Sequence, residues 1–125
     1  MASQTQNAGL ARVTQLLAAA SWWLQWGSGS GKATSANAVT TTSTTESRVS
    51  ATASQQTTTV TNDTLRLVGT ITASGSRAIT EVGAFDAAGT GSPPTGGNMD
   101  YYADFSVINL STGDSIALTL NVTYS

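Results

Sequence analysis

Residues Ser115 to Tyr124 alternate without a break. Ile116, Leu118, Leu120, Val122 and Tyr124 fall on one side, and Ser115, Ala117, Thr119, Asn121 and Thr123 on the other. A period of two with one apolar and one polar face predicts a strand of an antiparallel sheet. The same alternation runs through Leu65–Thr72 and Ile79–Phe85. Ser74-Gly75-Ser76 between them predicts a tight hairpin with Ile71 facing Ile79, Gly69 facing Glu81, Leu67 facing Gly83 and Leu65 facing Phe85. Two weaker copies follow the rule. One sets Val49, Ala51 and Ala53 against Arg48, Ser50 and Thr52; the other, within Tyr101–Leu110, aligns Tyr101, Ala103, Phe105 and Val107.

Ser21 to Trp26 opens this series as a strand with Trp22, Leu24 and Trp26 facing one way and Trp23 and Gln25 the other. Each inward tryptophan contributes on the order of 4–6 kcal/mol by buried area, so this pair should anchor the core. Trp23 is expected either beneath the N-terminal helix or at a subunit contact. About six to eight strands of this kind need a second layer. The expected fold is therefore mainly β, an antiparallel sandwich of jelly-roll type.

Ahead of the strands, residues 1–20 read as a polar arm and a short helix, and 21–125 as the sandwich domain. Asn7 is placed to cap a helix over Ala8–Ala20, whose apolar stripe would be Leu10, Val13, Leu16 and Leu17. Three turns are marginal alone, so the helix must dock on a sheet or a neighbouring subunit. Between strands, Gly27-Ser-Gly-Ser-Gly-Lys32 superficially suggests a phosphate-binding loop. Trp26 and Ala33 stand where that motif needs Gly and Ser or Thr, so a flexible connection is expected. Ala33–Thr45 reads as a surface loop or edge strand, Gln55–Thr61 as a solvent-facing strand, and Asp86–Met99, with both prolines, as a projecting loop.

Composition narrows the chemistry. The 125 residues make one domain, carry a net charge of −2 and contain neither His nor Cys. Such a chain lacks the electrostatic footprint of a nucleic-acid or acidic-membrane binder, the commonest general base, and thiolate metal ligands. Val13–Ala20 is too short to span a membrane, and Thr14 and Gln15 interrupt it as a leader, so neither is expected.

Glu81 is the one carboxylate that the hairpin register would bury on the apolar face. It needs a partner there, and Arg48 is the expected one, as a structural ion pair with no catalytic role. Asp86, Asp100 and Asp104 lack the dense pattern of a Ca²⁺ loop and are read as solvated. Asn62-Asp-Thr64, Asn109-Leu-Ser111 and Asn121-Val-Thr123 match the glycosylation triplet by chance. No cofactor, no metal and no enzymatic activity is expected.

Several segments occur in a telling order. Gly9-Leu-Ala-Arg-Val-Thr-Gln-Leu-Leu17 precedes an aromatic strand ending in Trp26-Gly-Ser-Gly. Glu46-x-Arg48, Ile79-Thr-Glu-Val-Gly-Ala-Phe-Asp86 and Phe105-Ser-Val-Ile-Asn-Leu-Ser-Thr-Gly-Asp-Ser115 follow. This series resembles small virion structural proteins of tailed bacteriophages, of the capsid cement (decoration) type; Ala33–Thr45 and the Gly/Pro loop depart from it. The resemblance implies a homotrimer on the outer capsid surface of the virion, made in the host cytoplasm and bound to the major capsid protein. Neither nucleic acid nor membrane is an expected partner. The expected contacts are the arm and helix (Leu10, Val13), Trp23, and Met99, Tyr101 and Tyr102. The alternative is a tail- or fibre-associated module that uses Tyr101 and Tyr102 beside Asp100 and Asp104 to bind host glycans or another tail protein.

Overall fold

The structure, a computed structural model, describes all residues from Met1 to Ser125. One helix, α1 (Asn7–Ala18), precedes seven strands: β1 (Trp23–Gly27), β2 (Val49–Ser50), β3 (Thr52–Gln56), β4 (Thr64–Thr72), β5 (Arg77–Phe85), β6 (Met99–Leu110) and β7 (Ser115–Thr123). They form two antiparallel sheets, ordered β2-β1-β5-β6 and β3-β4-β7, packed as a sandwich. A full jelly roll has eight strands; here the second sheet has three.

The inner faces carry the core. Trp22, Leu24, Trp26, Ile79, Val82 and Ala84 from the first sheet meet Leu65, Leu67, Ile71, Leu118 and Leu120 from the second. The alternation of β7 therefore reads true, and so does the tryptophan strand. Val49, Ala51 and Ala53 also pack on this cluster. Their run changes sheet at Ala51, whose N–H bonds Trp22 O at 2.8 Å, and so closes one side of the sandwich.

The expected hairpin does not form. β4 and β5 lie in different sheets, and Ser74-Gly75-Ser76 arches between them. Ile71 pairs with Ile116, Gly69 with Leu118, Leu67 with Leu120 and Leu65 with Val122. Ile79 pairs instead with Ile108, and Gly83 and Phe85 with Gln25 and Trp23 of β1. An arch and a hairpin need the same local pattern, an apolar face on both strands. The choice falls to partners far along the chain.

A second irregularity sits inside β5. Pairing with β6 shifts between Ile79 and Glu81, and on the outer side Thr80 bonds Gly29 O while Glu81 accepts from Thr40 N–H. Beyond that bulge Val82 and Ala84 point into the core, while Glu81, Gly83 and Phe85 face outward. A bulge that reverses a strand's parity is a recognised way to re-aim side chains.

Helix α1 runs Asn7–Ala18, with Gln6 at its cap and no side-chain capping bond. Its inward residues are Leu10 and Thr14, with Leu17 and Ala18 packed on the core. Val13 and Leu16 of the expected stripe point outward, 37% and 65% exposed. The helix docks on β3 and β4. There the Thr14 hydroxyl donates to Asn62 O at 2.6 Å, and Gln55 Nε2 to Ala11 O and Thr14 Oγ1, both at 2.8 Å. β3 stops at Gln56, so Thr57–Thr61 is a turn and not the expected strand end. Asp63 organises it, accepting the N–H groups of Thr58, Thr59 and Val60 at 2.8–3.0 Å.

Candidate functional site

The outer face of the first sheet gathers most of the chain's unusual polar groups. Gly27–Thr45 lies over it as a strap. Ser28 N–H bonds Thr40 O at 2.9 Å, Gly31 N–H bonds Asp104 Oδ2 at 2.8 Å, and Thr80 Oγ1 donates to Gly29 O. Gly27–Lys32 is thus pinned rather than the flexible link its composition suggests. A Cβ at Gly27 would lie 2.7 Å from Glu81 Oε2, and one at Gly29 would overlap the Thr40 hydroxyl, so backbone closeness explains both glycines.

Under the strap Glu81 is fully buried. Its ion pair is with Lys32 Nζ at 3.5 Å, not with Arg48. Glu81 also accepts from Thr40 N–H at 2.9 Å and the Tyr102 hydroxyl at 3.2 Å. Arg48 lies on this same outer face, but over Phe85, where its donors are taken by Gln25, Ala87 O and Gly96 O, so the expected pair does not form. Burial, together with the Glu81 charge, raises the Tyr102 pKa, so the phenol stays protonated as a donor.

Arg48 is itself buried, stacked over the Phe85 ring at 3.6 Å. Its Nε donates to Gln25 Oε1 at 2.8 Å, and Nη1 to Ala87 O at 2.9 Å and Gly96 O at 2.8 Å. Those bonds clamp the Gly/Pro loop onto the sheet.

At the arch, Glu46 forms the second ion pair, 2.7 Å from Arg77 Nε. It also accepts from the Trp26 indole at 3.0 Å and from Ser74 N–H at 3.0 Å. Burial alone would raise its pKa. The hydrogen bonds from Ser74, Trp26 and Arg77 outweigh it and hold the pKa at about 2.

The expected contact residues do not form one patch. Leu10 is buried beneath α1, and Val13 is on the helix's far side. Trp23 is half-buried beside Phe85 on the outer face of the first sheet; α1 docks on the other sheet, so Trp23 is not beneath it. Met99, Tyr101 and Tyr102 begin β6 and line an open cleft of about 310 Å³ with Lys32, Ala33 and Asp100. Tyr101 packs on Trp22 at 5.3 Å between ring centroids and bonds the Tyr124 hydroxyl. Both tyrosine hydroxyls are thus engaged inside the protein. Asp86 accepts from Asn98 N–H at 2.8 Å, and Asp104 from Gly31 N–H.

Sequence reading missed Lys32, Thr40 and Gln25 as partners of buried charge. The available signal was Gly27-x-Gly29, which marks close backbone approach more specifically than flexibility. Comparison of the chain with protein-family models, with curated proteins and with solved structures finds no match.

Proposed function

We propose that this chain is a structural subunit of a tailed-bacteriophage particle, a capsid cement protein. In this reading it binds the major capsid protein on the outer shell as a homotrimer and stiffens the head. The observation that carries it is helix α1, apolar on two faces. Leu10 and Leu17 serve the domain's own core while Val13 and Leu16 are presented outward, next to an exposed arm, Met1–Gln6. An outward apolar stripe with a free arm suits a surface that a folded partner covers. The buried charges are consistent with a structural role, since Glu81 and Glu46 serve Lys32 and Arg77. Many weak sites around a shell then add through multivalency.

The test is to compare shells with and without the protein. Complete shells should survive heating that opens depleted ones, and Leu16→Asp should abolish rebinding without unfolding the domain. Equal heat resistance refutes the cement role. Tens of copies or fewer per particle, in place of hundreds, would favour the tail module.

A further inference from the structure

Arg48 combines features that a purely structural arginine does not need. It is 8% exposed, yet no carboxylate oxygen lies within 4.0 Å of it. All three of its protein acceptors are neutral, and Nη2 has no protein partner and reaches solvent. Asp86 acts on it only from longer range, and the Asp86 oxygens already accept from Asn98. Buried cations are ordinarily paired, because an uncompensated charge in a low-dielectric site costs several kcal/mol.

Arg48 lines a cavity of about 100 Å³, walled also by Gln25, Val39, Thr41, Pro94 and Thr95. A single water needs about 10–15 Å³ of such space, so there is room for a carboxylate with its adjoining methyl or methylene. Val39 and Pro94 supply apolar walls that strengthen a charge–charge contact.

We infer that this cavity is a binding site for a small carboxylate, which pairs with Arg48 Nη2 and supplies the missing counter-charge. Arg48 is well suited to this because its other two nitrogens are already fixed by Gln25, Ala87 and Gly96, so the fork is preorganised. The carboxylate comes either from a free small acid or from an acidic side chain of another protein. The inference does not rest on the capsid reading.

The test uses the folded full chain and follows the Arg48 Nε–H and Gln25 side-chain amide signals by NMR. Sodium acetate should shift both saturably, with Kd in about the millimolar range, while sodium chloride at equal ionic strength should not. N-acetyl-glutamate amide separates the sources. A shift with both compounds supports a protein-borne carboxylate, and a shift with acetate alone supports a free acid. Arg48→Lys should weaken binding by about tenfold or more through loss of the planar fork. If Arg48→Lys unfolds, the wild-type titration decides alone. Absence of a carboxylate-specific shift, or equal affinity in a folded Arg48→Lys protein, overturns the inference.

Discussion

Acid should weaken this protein through Glu46 in a way that a single substitution isolates. The carboxylate titrates near 4.5 in the unfolded chain and at about 2 in the fold. Its folded pKa is depressed, so the stabilisation is complete above the unfolded value and disappears as pH falls toward the folded one. That difference corresponds to at most about 3 kcal/mol. Solvent on one side of the Arg77 pair screens it to about 1–2 kcal/mol. Urea unfolding followed by tryptophan fluorescence is the natural assay, because Trp26 donates to this carboxylate. At about pH 7, Glu46→Gln should be less stable than the wild type by about 1–2 kcal/mol, and more than half of that gap should close by about pH 3. Asp63, held low by the Val60 and Thr58 N–H groups against burial, loses its contribution in both proteins and cancels in the difference. A gap that stays constant from neutral pH to acid would refute the reasoning, leaving packing rather than ionisation as the cause.

Three further outcomes are expected. Thr44 Oγ1 is buried without a hydrogen-bond partner, so Thr44→Val should raise stability by about 1 kcal/mol in the same urea assay. Gly29→Ala drives a methyl group onto Thr40 and Glu81 and should cost about 1–3 kcal/mol by overpacking, seen as a lower thermal midpoint. Lys32→Met strips Glu81 of its cation and should cost about 3–5 kcal/mol, whereas Lys32→Met with Glu81→Met should recover most of that loss; calorimetry of both variants measures it.

How much of this was legible in the sequence depends on what each residue's neighbours are. Ile116, Leu118 and Leu120 declare their face within their own strand, as do Trp22, Leu24 and Trp26, because one buried side repeats every second residue. Leu65–Thr72 and Ile79–Phe85 declare their faces equally well but not their partners. The arch at Ser74–Ser76 looks like a hairpin turn, since both strands need an apolar side whether they pair or face each other. The place of Glu81 was hidden for a related reason: one bulge reverses parity, and nothing in Thr80-Glu81 announces it. The strap was hardest to foresee. Only Val39 gives Ala33–Thr45 any bulk, and its hold on the sheet is made of hydrogen bonds that hydropathy does not register.

The arch also dictates a timetable. Because β4 and β5 part company, Trp23 must wait for Phe85, and Leu67 for Leu120, before either sheet is assembled. Distant pairings of this kind slow folding, and on a ribosome the tryptophan segment emerges well before its mates. Until Phe85 has been synthesised, that greasy ribbon has only the short β2 to pair with, so shelter for the nascent chain is a requirement written into the topology itself.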